Sequence, residues 1–207
     1  MEKWLDSRYE SMVNQIKQLV CLVEEPSARE MLNGILPRLG VQHYQFIVFE
    51  GKQDLQKRLT RTLKAWPKPN CVFLILRDKD AGDCHQIKKR LLELCISTGK
   101  EVEVFIRIAC HELESFYLGD LAAVEQGLGL TGISGYQNNK KFRDPDRLSN
   151  PAQELSSLTK GVYRKVVGSR KISQYLNLRE NRSHSFKVLL EAISRVMTIY
   201  PQIQLPL

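Results

Sequence analysis

Apolar residues are concentrated in four short runs along the chain, and each run is followed by a stretch with helical spacing. The runs are QLVCLV (18–23), YQFIVF (44–49), CVFLIL (71–76) and VEVFIRIA (102–109). Strands that alternate with amphipathic helices are typical of α/β proteins with a parallel sheet. The third run is apolar on both faces, which indicates a central strand, whereas the fourth alternates and indicates an edge strand. The pattern therefore predicts an α/β fold with a mostly parallel four-stranded sheet flanked by helices.

Local signals predict where the first helices begin and end. Apolar residues at helical spacing over 4–13 predict a short amphipathic lead-in. Pro26 and the capping box Ser27-x-x-Glu30 predict the start of a helix after the first strand. Gly40 predicts its end, and Pro37 should distort its last turn.

The last third of the chain has a different character. Residues 127–150 are rich in Gly, Asn, Pro and charge, and predict a long loop of the kind that often carries function. The remaining residues are mostly helical in pattern, most clearly over 185–199. We therefore expect an α/β core over residues 1–135 and a basic, mainly helical extension over 136–207 that packs on it.

Composition narrows the class of protein. No apolar run approaches the roughly 18 residues that suggest a membrane span, and the first ten residues contain acidic side chains instead of an apolar signal core. The five cysteines contain no C-x-x-C pair and lie mostly in apolar segments, which suits buried thiols better than disulfides or zinc. We expect a cytoplasmic protein without a membrane segment.

Charge is distributed unevenly along the chain. The net charge is +8, and residues 1–135 carry as many acidic as basic side chains. Residues 136–207 contain 13 Lys and Arg against 5 Asp and Glu, so the whole excess lies there. Such one-sided charge fits a polyanion partner, most often nucleic acid, and it fits a solvated basic surface equally well.

Carboxylates follow several of the predicted strands. In a parallel sheet the carboxyl ends of all strands meet at one edge, where ligands bind. There the sequence places Glu24, Glu50, the pair Asp78-x-Asp80, and the pair Glu112-x-Glu114. Mg²⁺ prefers oxygen ligands and usually takes one or two carboxylates. This convergence predicts a site for a hard cation at the sheet edge.

Each of these residues also has a structural interpretation. A D-x-D pair after a strand occurs often by chance, and Asp83 could simply cap the next helix with Gln86 completing the box. Glu112 and Glu114 could be first-turn residues favoured by the helix macrodipole. Sequence alone leaves both interpretations open.

The same residues resemble a known pattern. A Glu in LVEEPSARE after the first strand, and D-x-D in RDKDAGDC after a later one, resemble the Toprim domain of topoisomerases, DnaG-type primases and nucleases of the overcoming-lysogenization-defect (OLD) class. The segments VEEPS, FEGKQDLQKRL, RDKDAGDCHQIKKRL, RIACHELESFYLGD and SHSF further resemble a bacterial family of small Toprim-like proteins of unknown function. Members of that family are often encoded beside an ATPase gene, in settings suggestive of phage defence.

The resemblance implies a Toprim-like, Rossmann-like fold and roles for individual residues. Glu24 takes the position of the Toprim acid/base, and Asp78 and Asp80 take the positions of the ligands to Mg²⁺ or Mn²⁺. One departure stands out, because many Toprim domains have Gly after that Glu, whereas here Glu25 is the next residue. The extra anion either contributes another ligand or marks a lost activity.

These observations lead to a hypothesis of metal-dependent phosphodiester hydrolysis of nucleic acid. Asp78 and Asp80 would be metal ligands and Glu24 a second ligand or general base, while Asp83, Glu112 and Glu114 could extend the site to a second ion. The expected nucleic-acid contacts are Lys52 and Arg77 at the scissile phosphate, with Lys140, Lys141, Lys165, Arg170 and Lys171 in the basic extension.

Other functions are consistent with the same residues. The chain could be a catalytically inactive Toprim-like subunit that binds nucleic acid or regulates a partner ATPase, or an enzyme acting on a small phosphate ester. No G-x-x-x-x-G-K-[ST] loop is present, so any dependence on ATP would come from a partner. Whether the chain forms a homo-oligomer stays open.

Overall fold

A computed structural model describes residues 16–67, 70–99 and 103–204 of this 207-residue protein. The amphipathic lead-in predicted over 4–13 and the predicted start of the fourth strand at Val102 lie outside the described residues. The other three predicted strands lie entirely within the described ranges.

The strands form one parallel sheet, which confirms the α/β fold with a four-stranded sheet. They are β1 (Gln18–Val23), β2 (Tyr44–Val48), β3 (Cys71–Asp78) and β4 (Val104–Ala109), in the order β2-β1-β3-β4. The central strand β3 is buried from Cys71 to Arg77, as its apolar run predicts. β4 lies at an edge, as its alternating pattern predicts. All four strands therefore end at the same edge of the sheet.

Helices cover both faces of this sheet. They are α1 (Pro26–Ile35), α2 (Lys52–Ala65), α3 (Cys84–Ile96), α4 (Glu114–Leu118), α5 (Leu121–Leu128), α6 (Pro151–Leu158), α7 (Lys165–Ser173) and α8 (His184–Ile199). Within the described ranges, none of these helices combines the length and apolar character needed to cross a membrane.

Side-chain alternation along the strands divides the core into two layers. Phe73 and Ile75 of β3 face the side that α2 covers with Leu55, Leu59 and Leu63. Val72, Leu74 and Leu76 face the opposite side, where α1 and the helices from α4 onward pack in one continuous apolar cluster. Residues of α1 and α8, which are far apart in the sequence, thus share one core layer. Because side chains alternate along a strand, consecutive residues at the end of each strand lie on opposite faces of the sheet.

Several local features differ from the sequence predictions. The capping box at Ser27 is wrong, because Glu25 is the N-cap of α1 and the Ser27 hydroxyl, inside the helix, donates to the Glu25 carboxylate. Asp78 is the last residue of β3 instead of lying beyond it. The predicted loop 127–150 contains three short 3₁₀ turns, at Ser134–Asn138, Lys140–Phe142 and Pro145–Arg147. The expected distortion at Pro37 is present as a 3₁₀ turn that ends at Gly40, whose φ is +90°.

The basic C-terminal segment is anchored to the core mainly through α7 and α1. Arg170 donates to Glu30 at 2.6 Å, and Arg38 donates to the carbonyl oxygens of Ser173 and Leu176 at 2.8 and 2.7 Å. The two helices approach closely at Gly34. These contacts hold the N-terminal end of α7 near the carboxyl edge of the sheet. The division of the chain at residue 135 stays a prediction.

The close approach at Gly34 leads to a first prediction. A Cβ placed on Gly34 would lie 2.6 Å from the Cβ of Ser173, and closer still to its hydroxyl, in a buried contact. We expect Gly34→Ala to lower the free energy of unfolding by about 1–3 kcal/mol from overpacking, despite a gain in helix propensity of about 1 kcal/mol.

Chemical denaturation would measure this change. The double variant Gly34→Ala/Ser173→Gly removes the colliding Cβ and should recover much of the loss. The close helix contact would be contradicted if Gly34→Ala were as stable as the wild type. It would also be contradicted if the double variant lost the sum of the stabilities lost by Gly34→Ala and Ser173→Gly alone.

Candidate active site

The carboxyl ends of β1 and β3 bring acidic side chains together. Val23 lies opposite Leu76 in the parallel register, so the next two residues of the first segment, Glu24 and Glu25, lie beside Arg77 and Asp78. The backbone confirms this proximity, since the Asp78 amide donates to Glu24 Oε2 at 3.3 Å. The placement of Glu24 next to D-x-D, expected from topology, is thus present in the fold.

Alternation then distributes these side chains over the two faces of the sheet edge. Glu25 and Asp78 lie on the side of α7, together with Glu114 of α4 and Lys165 of α7, and we call these four residues the α7-side cluster. Glu24, Arg77, Asp80 and Lys52 lie on the side of α2, and we call them the α2-side cluster. The three residues of the Toprim pattern are therefore divided between two adjoining clusters.

Glu114 is the most deeply placed carboxylate of the α7-side cluster. Its side chain is completely buried, and its Oε1 accepts a hydrogen bond from the Tyr163 hydroxyl at 2.9 Å. Within the described part of the chain, Oε2 has no hydrogen-bond partner. Lys165 Nζ lies 3.9 Å from Glu114 Oε1 and 3.5 Å from Glu25 Oε2. One ammonium group thus faces several carboxylates.

The cluster has more negative charge than its surroundings stabilise. Burial raises the pKa of Asp78 well above its ordinary value, and the nearby carboxylates of Glu25, Glu114 and Glu24 raise it further, while Lys165 lowers it. Burial also raises the pKa of Glu114, against the opposing effects of Lys165 and the Tyr163 hydroxyl. The cluster therefore favours a nearby positive charge, part of which Lys165 supplies.

The α2-side cluster pairs its charges more completely. Lys52 Nζ donates to Asp80 Oδ2 at 2.7 Å, and Arg77 Nε lies 3.6 Å from Glu24 Oε2. Burial raises the pKa of Glu24, and the Arg77 guanidinium opposes that rise. Arg77 itself is 6% exposed, and its Nε and Nη1 have no hydrogen-bond partner in the described residues. The Glu24–Arg77 contact is thus an ion pair without a direct hydrogen bond.

The backbone determines the position of Asp80. Its φ is +53°, a left-handed conformation that Asp tolerates better than most residues, and its amide donates to the His111 carbonyl at 2.7 Å. The turn after β3 is thereby attached to the turn after β4. That attachment holds the Asp80 carboxylate within reach of Lys52 at the start of α2.

Two of the predicted metal ligands have structural hydrogen bonds elsewhere. Asp83 is the N-cap of α3 and accepts from the Gln86 amide at 2.9 Å, as its capping interpretation predicts. Glu112 accepts from the Ala152 amide at 2.8 Å, in the first turn of α6. The metal-binding roles of both residues stay predictions.

The predicted nucleic-acid contacts are similarly divided. Lys52, Arg77 and Lys165 belong to the two clusters, whereas Arg170 pairs with Glu30. Lys141 pairs with Glu154, and Lys140 and Lys171 are exposed. The fold thus places three of the seven predicted basic residues directly beside the carboxylates.

Two participants have roles that the sequence does not reveal. Glu25 stands out in the sequence only as a departure from the Toprim pattern, and Tyr163 gives no signal beyond packing. Their partners, Lys165 and Glu114, are 140 and 49 residues away in the chain, so no local spacing could reveal the contacts.

The donor set is chemically suited to a hard divalent cation. All candidate ligands are carboxylate oxygens, which Mg²⁺ and Mn²⁺ prefer, and Glu114 contributes a buried oxygen without a hydrogen-bond partner in the described residues. Among those residues, however, no three His, Cys, Asp or Glu side chains are arranged as a ready metal-binding group. Binding an ion would require side-chain rearrangement.

The shifted pKa of Glu114 predicts how stability depends on pH. Because the folded-state pKa lies above the ordinary value of 4.5, the stabilising contribution is present at low pH and is lost as pH rises through the folded-state pKa. In EDTA, we expect the free energy of unfolding of Glu114→Gln to increase relative to that of the wild type as pH rises from about 4 to 8, because only the wild type loses stability as Glu114 ionises.

A matched Glu→Gln variant should show the opposite trend. The hydrogen bond from Arg170 lowers the pKa of Glu30, so its stabilising contribution is present above the ordinary value and is lost as pH falls. Relative to wild type, Glu30→Gln should therefore become less stable as pH rises. Urea denaturation across the pH series would measure both, and parallel trends would contradict the assignment.

Comparison with known proteins relates this fold to others. The structure of the C-terminal region of the Burkholderia pseudomallei OLD protein is similar, with a TM-score of 0.54, 16% sequence identity, and coverage of 86% of this chain and 98% of that one. This similarity concerns the fold alone, and it supports the OLD-type fold expected from the sequence. Among curated proteins, no match was found. Residues 23–194 match the family described as Domain of unknown function (DUF4276), and the chain belongs to that family.

Proposed function

We propose that this protein hydrolyses phosphodiester bonds of nucleic acid with Mg²⁺ or Mn²⁺ bound at the carboxyl edge of the sheet. The observation that carries the proposal is the convergence of Glu24, Asp78 and Glu114 there, with raised pKa values and a buried Glu114 oxygen that lacks a hydrogen bond within the described residues. The OLD-like fold supports the same class of chemistry.

The proposed roles follow from position. Asp78 and Asp80 would hold the cation with Glu24, and Asp83, Glu112 and Glu114 are the residues from which a more extensive ligand set could be drawn. A bound cation neutralises charge at phosphorus and lowers the pKa of a bound water. Glu24, whose pKa is raised by burial, is a stronger base than an exposed carboxylate and is the proposed proton acceptor.

Basic side chains beside the carboxylates would orient the substrate. Lys52 is half-exposed at the α2-side cluster and could exchange Asp80 for a phosphate oxygen, since an exposed ion pair is weak. Lys165 is similarly half-exposed on the opposite side. Lys140 and Lys171, exposed on the C-terminal segment, would contribute sequence-independent contacts to the phosphate backbone.

We further propose that the protein is the nuclease component of a bacterial anti-phage system and acts in the cytoplasm with an ATPase partner. The support is the resemblance to small Toprim-like proteins encoded beside ATPase genes, together with the relation to OLD-type proteins. Self-association belongs to the same proposal, and a symmetric assembly of identical chains is the form expected of it.

A second candidate is a catalytically inactive subunit that binds nucleic acid or regulates an ATPase. The favouring observation is Lys165, whose ammonium already lies among carboxylates that a cation would need, held there by Glu25. The two candidates differ in whether cleavage depends on the acidic residues.

The discriminating prediction concerns Asp80→Asn. Asn tolerates the left-handed backbone and removes only the charge, so folding should persist. If Asp80 binds the metal, we expect metal-dependent cleavage of labelled single- or double-stranded DNA or RNA to fall by about 100-fold or more, the effect of losing about 3 kcal/mol of transition-state stabilisation. EDTA should abolish cleavage by the wild type.

The matched control is Asp144→Asn, which changes an exposed Asp that pairs with Arg147 on the surface. It should cleave like the wild type. If no nucleic acid is cleaved with Mg²⁺ or Mn²⁺ while binding is unaffected by Asp80→Asn, the inactive-subunit function is supported instead.

A further inference from the structure

We propose that the ammonium group of Lys165 takes the place of a second metal ion, so that each chain binds a single divalent cation, at Glu24, Asp78 and Asp80. This inference rests on the proposed function, and it identifies Glu25 as the residue that positions Lys165. The distribution of charge over the two faces of the sheet edge supports it.

The α7-side cluster contains enough carboxylates for a cation of its own. Glu25, Asp78 and Glu114 face one another there, and Lys165 Nζ lies 3.5 Å from Glu25 Oε2 and 3.9 Å from Glu114 Oε1. An ammonium group has three donors, no acceptor and a fixed positive charge at neutral pH. It therefore satisfies part of the same electrostatic demand that a metal ion would satisfy, from within the chain.

The fold holds this ammonium group in place. Lys165 is the first residue of α7, and α7 is attached to α1 by the ion pair of Arg170 with Glu30 at 2.6 Å. Arg38 adds a hydrogen bond to the Ser173 carbonyl oxygen at the far end of the same helix and another to the Leu176 carbonyl oxygen just beyond it. These contacts fix the backbone of α7 against α1, so the first residue of α7 lies at the carboxyl edge of the sheet, within reach of the carboxylates.

Glu25 completes the arrangement and explains the departure from the Toprim pattern. The Ser27 hydroxyl donates to its Oε1, while Oε2 is left to face Lys165. Glycine at this position would remove the carboxylate closest to the ammonium group and leave Glu114 and Asp78 facing it. The negative charge of Glu25 and the positive charge of Lys165 thus cancel, and the pair leaves the net charge of the site unchanged.

Glu114 shows what would happen without the lysine. Its completely buried Oε2 lacks a hydrogen-bond partner in the described residues, although Oε1 is bonded to Tyr163. Removing the ammonium group would leave that oxygen together with Glu25 and Asp78, which makes three carboxylates around an uncompensated position. A second divalent cation would then be the available counter-ion.

The experiment is a measurement of Mn²⁺ stoichiometry by isothermal titration calorimetry on the full chain, with free Mn²⁺ followed by electron paramagnetic resonance. We expect one Mn²⁺ per chain for the wild type and two for Lys165→Met, which keeps the side-chain length and removes the charge. The second site should be at least about tenfold tighter than any second site of the wild type. The double variant Lys165→Met/Glu25→Gln should return to one, because a ligand of the new site is lost.

Controls separate this effect from unrelated changes. Lys187→Met alters an exposed lysine of α8 and should bind one Mn²⁺, and thermal melts would establish that each variant is folded. Two ions on the wild type, one ion on folded Lys165→Met, or two ions on the double variant would each overturn the inference. Two ions on a wild type that cleaves nucleic acid would leave the proposed function standing, whereas no Mn²⁺ on any folded variant would overturn both.

Discussion

The parallel pairing of β1 with β3 is the constraint on which the candidate site depends. Because Val23 lies opposite Leu76, the two residues after β1 lie beside the last two residues of β3. Side chains alternate with a period of two, so a shift of one residue would move every charged group to the other face. The burial of β3 on both sides makes such a shift costly in free energy, since it would place the side chains that now pack in one core layer into the other.

This register also explains why the two clusters differ electrostatically. On the α2 side, each carboxylate has a basic neighbour from the α/β core, because Arg77 of β3 accompanies Glu24 and Lys52 of α2 accompanies Asp80. On the α7 side the sheet contributes carboxylates alone, and the basic group comes from the C-terminal third. Part of the positive charge of that third, on Lys165, therefore faces carboxylates of the same chain.

Topology was the most predictable part of the molecule from sequence. The apolar runs indicated that β3 is an interior strand and β4 an edge strand, and the common carboxyl edge implied that Glu24 and Asp78 lie close together. The capping box at Ser27 failed because its spacing is also compatible with a position inside the first turn, where Glu25 acts as the cap. Glu112 and Glu114 could not be distinguished, because two residues at the start of a helix differ in burial only once the packing of α6 and α7 is known.

The anchoring of α7 to α1 also determines when the site becomes complete as the chain is synthesised. The sheet and its acidic edge are encoded before residue 120, but Tyr163 and Lys165 emerge from the ribosome later, and the apolar layer they belong to requires α8 as well. A nascent chain therefore has the carboxylates without their internal counter-ion and without a closed core. The closed apolar layer and the charge balance of the α7-side cluster both require segments that follow the sheet, so both form only after α7 and α8 have left the ribosome.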